Sequence, residues 1–364
     1  MLRSKKLRAG DWVEVRSKDE ILATLDLSGQ VEGLPFMPQM FQYCGKRFQV
    51  YKRAHKTCDT VNPIRSLRLS NVVHLDLRCD GKAYGNCGAA CLIYWKTSWL
   101  NPVDSGVGPS GAHEARSKNS WNGSPQALLC SEQDLLAGTK RKAESPDEWR
   151  YVCQATQVPM LGPALPWWDV RQYLEDYTSG NTSLGRMARG ALYYGYYSVI
   201  QSGIGVGSPL RWLYDAFQSL WGGLPFPRRT GALPIDHPTP HCTSNIQVGE
   251  FVRVKSYKEI LSTLNTDNKN RGLYFDAELV PYCGGTYRVR SRVEHFVDEK
   301  TGKLVTLKNP SLLLEGTICQ SRYSACRMFC PRGIHAWWRE IWVERVSKPA
   351  IGPPDVEVRK SPVK

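Results

Sequence analysis

Gly10-Asp11-Trp12-Val13-Glu14-Val15-Arg16-Ser17, running on to Thr24-Leu25, is written a second time as Gly249-Glu250-Phe251-Val252-Arg253-Val254-Lys255-Ser256, running on to Thr263-Leu264. The match continues without a gap, so that Gly33-Leu34 and Tyr43-Cys44-Gly45 find Gly272-Leu273 and Tyr282-Cys283-Gly284. Further along, Cys79, Cys87 and Cys91 correspond to Cys319, Cys326 and Cys330. Each triplet precedes a Trp-x-x-x-Trp, with Trp95 and Trp99 in the first copy and Trp338 and Trp342 in the second. A period of about 240 residues is too long for a solenoid, so the chain is a duplicated domain around an insert.

Within each copy the pattern is local and physical. Trp12 to Arg16 alternates apolar and polar, as a half-buried strand does. Ser17-Lys18-Asp19-Glu20 is a capping box, in which the serine oxygen takes an orphan amide of the first turn and Glu20 reaches back. Ile21, Leu22 and Leu25 then give a short helix its apolar stripe, and Ser256, Glu259, Ile260, Leu261 and Leu264 repeat the device. Glycine turns and further strands follow, among them Arg47-Phe48-Gln49-Val50-Tyr51 and Tyr287-Arg288-Val289-Arg290. The expectation is a mainly β (α+β) fold, with two duplicated SH3-like small barrels flanking a helical insert. Its boundaries are an N-terminal Cys-rich barrel at 8–102, a Gly/Ser-rich linker at 103–128 and the insert at 129–240. The second barrel takes 241–346, and a disordered basic tail takes 347–364.

Ser131-Glu132-Gln133-Asp134 caps a short helix of the insert, and Pro166 opens another, with Trp167, Val170, Leu174 and Tyr177 on one face. Asp169, Arg171, Glu175 and Asp176 read as its solvated side. The tyrosine-rich stretch 190–206 carries no charge. It reads as a buried helix followed by an exposed glycine-rich loop, because a membrane span needs about 20 predominantly apolar residues. The stretch from Pro209 to Trp221 is an amphipathic helix stopped by Gly222-Gly223.

The 48 Lys and Arg against 34 Asp and Glu leave a charge of +14 over 364 residues, which suits an acidic partner, protein or nucleic acid, or anionic lipid. No transmembrane segment is expected. Twelve cysteines in a chain this long, without an apolar leader, point to reduced thiols and a cytoplasmic setting rather than a disulfide framework. Clustered reduced thiols point to metal. Cys58, Cys79, Cys87 and Cys91 supply four soft ligands, with glycines between Cys79 and Cys87 that let a loop curl round an ion. In the second copy Val297 stands where Cys58 stood, and His295, two residues earlier, would complete a Cys₃His set with Cys319, Cys326 and Cys330. Zinc is favoured, with an iron–sulfur cluster as the alternative, since the spacing is not ferredoxin-like. The paired Cys44 and Cys283 read as small core residues before a required glycine.

Gly33-Leu34-Pro35-Phe36-Met37-Pro38, Tyr43-Cys44-Gly45, His55-Lys56-Thr57-Cys58-Asp59 and Arg78-Cys79-Asp80-Gly81 resemble phrases of an uncharacterised bacterial family, as do Phe329-Cys330-Pro331-Arg332 and Trp338-Arg339-Glu340-Ile341-Trp342. The resemblance implies no activity. Nucleophile elbows, phosphate loops and dinucleotide fingerprints are absent from the sequence. The expected role is therefore a metal-stabilised binding or scaffold protein of bacteria. The alternatives are a metalloenzyme or accessory biosynthetic protein binding a small molecule between the barrels, and single-stranded nucleic-acid binding.

Overall fold

The computed structural model describes residues 6–62, 65–103, 130–143, 148–203 and 205–347. The readings of a linker at 103–128 and a tail at 347–364 fall almost wholly outside these. The first copy opens with strand β1 (Trp12–Val15) and helix α1 (Lys18–Leu22), followed by β2 (Arg47–Gln49), β3 (Lys56–Asp59), β4 (Arg65–Arg68) and β5 (Leu100–Val103). The insert supplies α2 (Glu132–Ala137), α3 (Arg171–Thr178), α4 (Leu184–Ile200) and α5 (Gly207–Leu220). The second copy has β6 (Phe251–Val254), α6 (Tyr257–Leu261), β7 (Thr286–Val297), β8 (Leu304–Ile318), β9 (His335–Trp338) and β10 (Val343–Val346).

The duplication is carried into three dimensions. In the first copy β1 lies between β5 and β2, all antiparallel; in the second, β6 lies between β10 and β7 in the same sense. Both capping boxes form, Ser17 with Glu20 and Ser256 with Glu259. Phe36 meets Trp99 edge-on at 5.1 Å and Phe275 meets Trp342 at 5.3 Å. Each second tryptophan donates its indole N–H to a helix-end threonine, Trp99 to Thr24 at 3.2 Å and Trp342 to Thr263 at 2.9 Å. Each core is thus a buried aromatic cluster in which the second tryptophan has its polar tip satisfied.

The expected SH3-like barrels do not form. Among the described residues the strands make small antiparallel sheets of two, three or five, none closed into a barrel, and helix and strand each take 28% of those residues, so the fold is not mainly β. Closure needs tilted strands whose ends meet in register. In the first copy the strands after Gln49 are two to four residues long, and β4 spends its second edge on Ala164–Leu165 of the insert.

The chain divides into two compact units. The first holds residues 1–189 together with 295–305 and 324–333 of the second copy, and the remainder forms the second. Within the first unit the backbone of Gly88 donates to the carbonyl of His295 at 2.8 Å, and Val297 joins the apolar core built around Trp95 and Trp99. Within the second, Ile246, Val252, Val254, Ile260 and Leu314 pack round Trp338 and Trp342.

Candidate functional site

Strand β3 is the densest chemistry in the first unit. All four of its residues are buried, as is His55 before it, so a run of His, Lys, Thr, Cys and Asp lies where a strand would ordinarily carry Val and Ile. Each polar group then needs a partner. Lys56 Nζ donates to Asp176 Oδ2 at 2.6 Å and to Gln172 Oε1 at 3.1 Å, and it sits 5.1 Å from the ring centre of Tyr173. His55 Nε2 lies 3.2 Å from the other oxygen of the same carboxylate. Thr57 Oγ1 and Tyr94 OH share a hydrogen bond of 2.6 Å. Asp59 accepts from the amides of Val61 and Asn62, from Asn62 Nδ2 and from Arg65 Nε. Burial pushes its carboxyl up, but these donors outweigh it and hold it below the usual range.

Helix α3 supplies the carboxylate, and it does so by turning the expected way round. Gln172 and Asp176 are its buried residues, whereas Val170, Leu174 and Tyr177 are exposed. The charged side read as solvated therefore holds the buried anion, and the apolar stripe read as the packing face looks outward. A buried ammonium without a counter-ion costs more than a few exposed apolar side chains, and that inequality sets the helix's rotation.

Residues 324–333 of the second copy close over β3. Lys56 and Cys58, two apart on a strand, face the same way, and there Phe329 stands 5.9 Å from Lys56 Nζ. Cys330 Sγ accepts from the Cys58 amide at 3.2 Å. Arg332 is buried, donating through Nη1 to the Cys58 carbonyl at 2.9 Å and through Nη2 to Glu299 Oε1 at 2.6 Å. The Cys330 side chain and burial hold the Cys58 thiol well above its usual pKa.

The cysteines expected to bind metal are placed as follows. Cys58 faces Cys330, across the two copies. Cys79, Cys87 and Cys91 lie against the first core, with Cys153 of the insert in the core beside them. Gln39 Nε2 donates to Cys79 at 3.0 Å, and the Val297 amide donates to Cys87 at 3.3 Å. Burial pushes Cys79 up to about 12 and Cys153 up to about 11, and it holds Cys91 well above its ordinary value, so all three are thiols at neutral pH. Of the second set, Cys319 belongs to the second unit while His295, Cys326 and Cys330 belong to the first. Among the described residues no three or more His, Cys, Asp or Glu side chains gather in a metal-holding group. Lys56, Gln172, Asp176, Glu299 and Arg332 are the residues that sequence reasoning missed. The one signal for them was the charge density of His55 to Asp59 in a strand position.

The second unit offers a surface instead. From Gly190 on, α4 turns its tyrosines inward: Tyr193 packs on Tyr323 at 4.8 Å, Tyr196 OH donates to the Leu210 carbonyl at 2.6 Å, and Tyr214 of α5 meets the buried Phe226 at 5.5 Å. Its opposite face is open. Only Gly190 and Ile200 of α4 are buried, so the helix expected inside is largely exposed. Helix α5 has no buried residue; Trp212, Leu213, Phe217 and Leu220 face solvent, as does Trp221 after it, at 76% exposure. The stop at Gly222 is as expected, with φ +63. Among the described residues no helix is long and apolar enough to cross a membrane.

No protein-family model matches this chain. No curated protein matches it either.

Proposed function

We propose that this is a docking protein that lies on anionic membrane surfaces through the outer face of α4 and α5. The observation that carries the reading is α5, a helix that buries none of its residues while exposing Trp212, Leu213, Phe217 and Leu220. A contiguous apolar face of this kind marks a binding surface. The partner follows from composition. Tryptophan and leucine on one face of a helix too short to span suit the headgroup boundary of a bilayer. Residues 184–221 carry Arg186, Arg189 and Arg211 against the single acid Asp215. That acid is occupied, accepting from the Phe226 amide at 2.7 Å and pairing with Arg229. The chain's +14 adds long-range attraction to an anionic surface. Single-stranded nucleic acid fits less well, since it needs basic side chains interleaved with the aromatics along a groove.

Flotation of the full chain with phosphatidylcholine vesicles, with and without phosphatidylglycerol, tests this. Binding to the anionic vesicles is expected, with a tenfold or greater loss in the Phe217→Glu and Leu220→Glu variants, because each apolar side chain contributes about 1.5–3 kcal/mol when buried. Salt should weaken binding only in part. Failure to float with either vesicle, together with a dimer in light scattering that Phe217→Glu dissolves, would assign the face to self-association instead.

A further inference from the structure

We infer that Cys58 and Cys330 form a dithiol–disulfide site, which exchanges with a disulfide-bearing reactant and closes into a bond joining β3 of the first copy to the cysteine loop of the second. The pair is already assembled. The Cys58 amide donates to Cys330 Sγ at 3.2 Å, and both cysteines are buried, at 3% and 2% exposure. They are 272 positions apart in sequence, so the contact is made by the fold and not by local chain geometry.

The loop that carries Cys330 is built to hold it there. Phe329 has φ +59, a left-handed backbone that costs an aromatic residue energy and persists only where its surroundings enforce it. Arg332, three residues on, ties the same loop down through its bonds to the Cys58 carbonyl and to Glu299. Both sulfurs are shut away from solvent. Exchange therefore proceeds through local opening of residues 324–333 and is slow.

The chemistry balances with a low-molecular-weight disulfide as oxidant. One cysteine of the pair, as thiolate, attacks that disulfide. Its S–S bond breaks, one reactant thiol leaves with the proton given up by the cysteine, and a mixed disulfide remains. The second cysteine attacks the protein sulfur of the mixed disulfide and expels the second reactant thiol. Two protein thiols have lost two electrons and two protons, and the reactant has gained them as two thiols. A dithiol reverses both steps.

The test uses the full chain, stripped of metal by a chelator, reduced, and then incubated with oxidised glutathione. Non-reducing peptide mapping is expected to show the peptides of Cys58 and Cys330 joined. The unfolding temperature should rise by roughly 5–10 °C and return on adding dithiothreitol. Cys330→Ser and Cys58→Ser should each abolish that rise, and circular dichroism of the reduced variants checks that they fold. The mapping of the unaltered protein stands even if they do not. Two outcomes overturn the inference: Cys58 and Cys330 both recovered as thiols that alkylate only after denaturation, or Cys58 joined to Cys79, Cys87, Cys91 or Cys153.

Discussion

Replacing Asp176 by Ala strips Lys56 of its counter-ion in a place water does not reach. Both side chains are fully buried, their charged atoms are 2.6 Å apart, and the same carboxylate faces His55 Nε2 at 3.2 Å. Removing one partner of a buried pair costs about 3–5 kcal/mol, because the remaining charge is left uncompensated. Gln172 Oε1 at 3.1 Å and the rings of Tyr173 and Phe329 still face the ammonium, which places the loss toward the lower part of that range. In a unit of this size about 2–4 °C of unfolding temperature is lost per kcal/mol, so the transition should fall by roughly 6–15 °C. Near-ultraviolet circular dichroism on heating, with urea unfolding beside it, measures this. Lys56→Met combined with Asp176→Leu should return to within about 1–2 kcal/mol of the parent, since two well-packed apolar groups need no mutual compensation. A single variant that loses less than about 2 °C, or a double variant that loses the sum of its singles, would refute the claim that this ion pair fixes α3 against β3.

The imidazole of His74, pushed down to about 3 by burial and bonded through Nδ1 to the Ile93 carbonyl at 2.8 Å, is neutral in the fold and binds a proton at about 6.5 once unfolded. Its contribution to stability should be intact above pH of about 6.5 and lost progressively as the pH falls toward about 3. His74→Gln should flatten that part of a stability–pH curve, and an unchanged slope would remove the assignment. Ser17→Ala and Ser256→Ala should each cost about 1 kcal/mol in urea unfolding, as loss of equivalent capping boxes, and markedly unequal costs would contradict local equivalence of the copies. Gly81→Ala should cost about 2 kcal/mol or more, because its Cβ would lie 1.9 Å from the Cys87 carbonyl oxygen. Gly45→Ala, at a similar φ of +72 but in open space, should cost about 1 kcal/mol, and equal losses would show that backbone conformation alone matters at Gly81.

What the sequence determined by itself is everything set within a few residues. The capping boxes at Ser17 and Ser256, the strands that precede them and the paired tryptophans are short-range consequences of residue type, which the duplication shows twice, and the stop at Gly222 of the insert is another. Tertiary structure decided the rest. Whether strands close into a barrel depends on which edges meet, and here an edge of β4 went to the insert. Which side of α3 faces inward was settled by a lysine more than a hundred positions away, whose charge outweighed the helix's own apolar periodicity. Which cysteine meets which was settled by residues 324–333 of the second copy packing into the first unit, so that Cys58 faces Cys330 and not the three cysteines of its own repeat. Repeat arithmetic assigns partners within a copy, but burial assigns them wherever a charged strand can be covered and its hydrogen bonds met.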